Sequence, residues 1–179
     1  MDRTTAFNLL KEWTKSPSLL RHALTVSWVM EAYANKLEED QELWAQTGLL
    51  HDADYEAFPE LHPNKIVDKL RGLGQEDMAY AISAHYTKWG VPHKSKLDKA
   101  LLACDELTGF IVACAQVRPQ GLQGMQAKSV RKKLKQKSFA AKVERDEIYQ
   151  GVTLFEVDLN EHIDFIIGVL QEHKRELDL

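Results

Sequence analysis

Apolar side chains recur at three- and four-residue spacings along most of this chain, and Ser, Pro and Gly cut the pattern into helix-length pieces. A first helix is predicted to begin after Thr4 or Thr5, turn Phe7, Leu10 and Trp13 inward, and stop at Ser16-Pro17. With Ser16 as N-cap and Pro17 at the first helical position, a second runs to about Leu37 on the stripe Leu19, Ala23, Val26, Met30, Tyr33. Asp40 caps a third through Leu43, Trp44, Thr47 and Gly48, which carries His51 near its C-terminal end. A loop over 53–63 holds Pro59 and Pro63, and a short helix from Pro63 to Leu70 stops at Gly72 and Gly74. A fifth helix, Gln75 to His85, aligns Met78, Ala81, Ile82 and His85. A long one from Ser95 to about Val117 aligns Leu97, Leu101, Thr108 and Val112, and a final one is expected from Asp158 to Leu177 through Leu159, Ile163, Ile166, Ile167 and Leu170. Between the last two lie Pro119, a Gly121–Gly124 turn and a basic segment; no strand, repeat or low-complexity tract stands out.

The expected class is therefore all-α. A length of 179 residues suits one domain over 1–179, with a core at about 17–118 and a basic segment plus C-terminal helix at about 119–179. A chain this long buries a core without disulfides or structural metal, so any metal it holds serves function. A net charge of −4 with 28% charged residues excludes both a membrane protein and a disordered one. Cys104 and Cys114 lie in an apolar run with no C-x-x-C spacing, as buried thiols of a reducing compartment do. No leader-like apolar region follows the N-terminus and no run is long enough to cross a bilayer, so a cytoplasmic location is expected.

The chemistry gathers on G-L-L-H-D-A-D-Y-E, residues 48–56. His51-Asp52 offers a nitrogen and an oxygen ligand from adjacent positions, a combination suited to a divalent cation. His22 and Asp105 fall on the apolar stripes of two other helices, where an ionised carboxylate without a partner costs several kcal/mol. Each residue has a plainer explanation alone: His22 donating to a carbonyl, Asp52 capping a helix end, Asp105 pairing with an arginine such as Arg118. One shared cation explains His22, His51, Asp52 and Asp105 together.

Five stretches carry a family resemblance: Arg21-His22, G-L-L-H-D at 48–52, His62-Pro63, A-I-S-A-H-Y-T at 81–87 and A-C-D-E-L-T-G at 103–109. In these the chain resembles the HD-domain metal-dependent phosphohydrolase superfamily. The resemblance implies an all-helical fold of roughly six to nine helices around one core, with His22, His51, Asp52 and Asp105 as direct ligands. It further implies that His62 and His85 hold a second metal or contact substrate phosphate. The A-I-x-x-H-x-T run is similar to that of bacterial HD enzymes that cleave dinucleoside tetraphosphates. The long linker and G-Y-P signature of the cyclic-di-GMP phosphodiesterases are absent. Ala53 and Asp54 stand where the familiar H-D-I-G form has Ile and Gly.

From this ligand set the expected activity is hydrolysis of a phosphate ester or anhydride, a phosphomonoester or phosphodiester of a nucleotide-like small molecule, by a metal-activated water. One or two divalent ions are expected, with iron, manganese, zinc, nickel, cobalt and magnesium all open. Asp52 counts as catalytic through the metal, and Asp54, with Glu56 as competitor, is the expected acid or base. From Leu107 to Val143 there are eight bases and no acid, while the rest of the chain holds the other 15 bases and all 27 acids. Within this segment Arg118, Lys128 and Lys132 are candidate substrate-binding residues. Other readings are a regulatory metal- and ligand-binding module with little turnover, or an RNA-associated protein using residues 118–142. Few aromatics interleave the basic segment, so nucleic acid is the less expected partner.

Overall fold

The computed structural model describes residues 1–177, and among them there are helices and turns but no strand. The α-helices are α1 (Arg3–Trp13), α2 (Pro17–Leu37), α3 (Gln41–Leu50), α4 (Asn64–Gly72), α5 (Glu76–His85), α6 (Lys96–Gln116), α7 (Ala127–Leu134), α8 (Arg145–Leu154), α9 (Leu159–Glu172) and α10 (Lys174–Leu177). Single 3-10 turns lie at Pro59–Leu61 and Thr87–Trp89. The starts follow local chemistry. Asp2, Asp40 and Asp158 accept from backbone N–H groups in the first turns of α1, α3 and α9, and Ser95 with Asp98 forms a reciprocal capping box on α6.

Several boundaries differ from the sequence expectation. α1 starts two or three residues early because Asp2 caps it, and this turns Ala6, Leu9 and Leu10 to the core while Phe7 stays 37% exposed. Ser16 makes no side-chain cap; Glu56 instead accepts from the N–H groups of Lys15 (2.8 Å) and Ser16 (2.9 Å). The C-terminal helix breaks at His173 into α9 and α10. The basic segment, to which no helix bounds were assigned, contains α7 and leads into α8. α7 buries Ala127, Val130 and Leu134 at helical spacing on a short stripe, and α8 buries only Ile148 and Gly151.

α2 and α6 form the centre. α2 packs along α3, and α6 receives α5 and α8, with α9 lying against both. Met30, Leu50, Ile82, Leu101, Leu107, Phe110 and Ile166 are fully buried in one continuous core. Two glycines set the close approaches. A Cβ on Gly48 would lie 3.0 Å from Ser27 Cα on α2, and one on Gly151 would lie 2.6 Å from Ala103 Cα on α6. The site helix α6 is thus clasped by α8 at backbone distance.

A buried polar pin joins the same region. His162 of α9 donates from Nε2 to the Ala103 carbonyl (2.9 Å), and its Nδ1 accepts from the Tyr33 hydroxyl (2.6 Å). Burial pushes His162 down to about 4 and the Tyr33 hydroxyl well up, so both are neutral and each satisfies the other.

Gly151→Ala should therefore force α8 off α6 and cost about 1–3 kcal/mol or more, read as a lower denaturant midpoint with unchanged slope. For His162 the native pKa lies below the unfolded one. Stability should be flat above the ordinary histidine value and fall by up to about 3 kcal/mol as pH drops toward 4, because only the unfolded chain takes up the proton. A His162→Gln variant should show a flatter acid limb in pH-dependent unfolding.

Candidate metal centre

The centre is built where helix ends meet the middle of two long helices. His22 comes from α2 and Asp105 from α6, each on a buried or half-buried face. His51 and His85 are the residues that close α3 and α5. The last carbonyls of a helix have no intrahelical partner, and these two histidines use that fact in the same way. His51 Nδ1 donates to the Gly48 carbonyl (2.7 Å) and His85 Nδ1 to the Ile82 carbonyl (2.6 Å). His62 is oriented by a side chain instead: its Nδ1 donates to Asp54 Oδ1 at 2.7 Å. With the proton held at Nδ1, all three rings turn an Nε2 lone pair toward one point.

That point is Asp52. Its Oδ2 lies 3.6 Å from His51 Nε2 and 3.9 Å from His22 Nε2, and its Oδ1 lies 3.4 Å from His62 Nε2 and 3.7 Å from His85 Nε2. Asp105 Oδ1 completes the first side, 2.9 Å from His22 Nε2 and 3.1 Å from His51 Nε2, and the two imidazole nitrogens are 3.2 Å apart. One carboxylate thus separates two histidine pairs. Potential ligand atoms cluster within 4.8 Å in two overlapping groups, His22/His51/Asp105 and His51/Asp52/His85.

Lone pairs facing carboxylate oxygens at these distances repel unless a positive charge lies among them. Burial opposes charge on His51, yet Asp52 and Asp105 outweigh it and lift the imidazole to about 10. Burial likewise opposes the charge on both carboxylates, and the His51 charge outweighs it and holds them well below the ordinary range. The cluster therefore demands a cation, a proton at minimum. Nitrogen and carboxylate donors whose far ring nitrogens are tied to oxygen acceptors fit a divalent metal.

A cleft of about 730 Å³ opens over the cluster, lined by His22, Asp52, His62, His85 and Asp105. Its outer wall comes from residues that no motif in the sequence singled out. Tyr55 and Tyr86 stand edge-on to the His62 ring, Lys88 and Lys142 bring positive charge, and Glu106 and Glu147 bring carboxyls. Burial, then the neighbouring Asp105 charge, pushes Glu106 up to about 8. Gly109, one turn past Asp105, leaves room for the His22 ring: a Cβ there would lie 3.4 Å from Nδ1. Lys142 and Glu147 carry no local signal, because α8 reaches the cleft only through its packing on α6.

Other expectations need correction. Asp54 is fully buried, and its two oxygens accept from His62 Nδ1 and from the backbone N–H of Ile66 (3.0 Å), so it holds His62 and the start of α4 rather than facing the cleft. Glu56 caps the approach to α2. Arg118, Lys128 and Lys132 lie together, but around a different cavity that shares no residue with this cleft. Asp105 makes no pair with Arg118, whose Nε and Nη2 donate to the carbonyls of Gly121 and Gln123 (both 2.9 Å).

Among known families, the one described as HD domain matches residues 19–135, more than half of the chain and all six residues of the cluster. No curated protein and no solved structure matches the chain. No helix among the described residues is long and apolar enough to cross a membrane.

Asp54→Asn should loosen His62 and lower affinity for the metal ion it helps hold by about 10–100-fold, with the fold retained. Titration of stripped protein against a metal-indicator dye, with circular dichroism as the folding control, reads both.

Proposed function

The chain belongs to the HD-domain family of metal-dependent phosphohydrolases, and we propose that it hydrolyses a phosphoester of a nucleotide-sized small molecule. One observation carries this reading: a single carboxylate, Asp52, faces two histidine pairs, and in three of the four rings, those of His51, His62 and His85, the other nitrogen is already committed. His22, His51, Asp52 and Asp105 would hold one divalent ion, and Asp52, His62 and His85 a second. Bound there, divalent metal supplies an acidified water and neutralises charge on phosphoryl oxygens.

The protein's own groups do the rest. Asp54 keeps His62 in the tautomer with its lone pair inward, and the Gly48 and Ile82 carbonyls do the same for His51 and His85. Lys88 and Lys142 draw the substrate's phosphate toward the cluster from the cleft rim. Tyr55 and Tyr86 offer flat apolar surface beside His62, suited to a base or sugar face. Glu106, beside Asp105 on the same wall, is positioned to give the departing oxygen its proton. A cleft of about 730 Å³ is of the size that encloses a nucleotide and is too small for a long polymer.

The test is metal analysis of protein purified without chelator, beside Asp52→Ala, followed by assays with p-nitrophenyl phosphate, bis-p-nitrophenyl phosphate and a nucleotide panel in Mn²⁺. Wild-type protein should retain metal and turn over at least one ester, and Asp52→Ala should lose both, turnover by about 100-fold or more. Metal retained without turnover on any substrate would instead favour a regulatory module.

A further inference from the structure

We propose that Arg118, Lys128, Lys132 and Lys133 form a second anion site, apart from the metal centre, that takes the phosphate group of a small phosphorylated molecule. The four line a cavity of about 430 Å³ between the end of α6 and the face of α7, with Gln126, Ser129 and Gln136 on its walls and buried Cys114 and Met125 at its floor.

Charge is the first argument. Among the described residues no carboxylate lies within salt-bridge distance of any of these four cations, and Leu107 to Val143 holds no acid. Lys128 and Lys132 are four apart on one face of α7, a like-charge pair that destabilises a helix. An anion between them converts that repulsion into binding energy. Other bases of the segment are disposed differently: Arg131 donates to Asn160 Oδ1 (3.0 Å), and Lys135 and Lys137 are exposed and do not line the cavity.

Geometry is the second. Arg118 is fixed by the carbonyls of Gly121 and Gln123, so its guanidinium is held at the cavity wall with Nη1 free of any acceptor among the described residues. Ser129 and two glutamines add neutral donors, as phosphate sites commonly require. The volume fits a small molecule. The nearest ring, Phe139, lies beneath Lys133 (4.6 Å) and packs edge-on against Phe110, so no aromatic platform is offered to nucleobases of a strand.

The test uses full-length protein stripped of metal with a chelator and then dialysed free of it, titrated with pyrophosphate and separately with a short single-stranded RNA in low-salt buffer. Wild type and Asp52→Ala should bind pyrophosphate alike, and Lys128→Gln/Lys132→Gln should bind it at least about tenfold more weakly. Both lysines are exposed and repel each other, so the double variant's thermal midpoint without ligand should be unchanged or slightly raised. Absence of pyrophosphate binding in the wild type, binding indifferent to the double variant, or loss in Asp52→Ala would each overturn the proposal. So would RNA binding that the double variant abolishes while pyrophosphate is ignored, which would mark a nucleic-acid surface.

Discussion

Three imidazoles with lone pairs turned toward one carboxylate cannot coexist without positive charge among them, and much of this structure follows from that constraint. Asp52 stands between His22 and His51 on one side and His62 and His85 on the other, with Asp105 closing the first pair. None of the imidazoles of His51, His62 and His85 can relieve the conflict by turning, because each Nδ1 is already held by an oxygen. The fold keeps the cluster arranged for a cation and removes the alternatives. Its stability is tied to its chemistry at this point.

Holding that arrangement requires two rigid helices at fixed spacing. α2 brings His22 and α6 brings Asp105, and small residues let their neighbours come close: Gly48 admits α3 to α2, and Gly151 admits α8 to the Ala103 turn of α6. His162 then fastens α9 to the same turn and to Tyr33 of α2. These contacts lie within a turn or two of the ligands, so packing precision becomes ligand precision. α6 has a second consequence, since its Asp105 end opens on the metal cleft and its Cys114 end on the basic cavity. One element thereby separates two pockets of opposite character.

The wall facing the cluster belongs largely to α8 and the residues before it, beyond the segment that matches the family. The helices within the matched segment thus carry the histidine and aspartate cluster, while Lys142, Glu147 and their neighbours line the cleft above it.

Sequence alone determined the helical class, most element boundaries and the residues that gather in the cluster, because each rests on short-range rules. Helical period, caps such as Asp40 and Ser95, and polar residues on apolar stripes are all visible within a few positions. Where rules are local but compete, the sequence misled: Asp2 displaced the expected start of α1, and Ser16 makes no side-chain cap, its own N–H and that of Lys15 being held by Glu56. α7 does leave a periodic trace in Ala127, Val130 and Leu134, but over only eight residues, whereas α8 buries just Ile148 and Gly151 and leaves almost none. Only the tertiary structure decided that Asp54 looks away from the cleft to hold His62, and that Arg118, Lys128 and Lys132 surround another cavity. A charge's sequence position says how near it is along the chain, whereas its role depends on which pocket the packing of distant helices opens beside it.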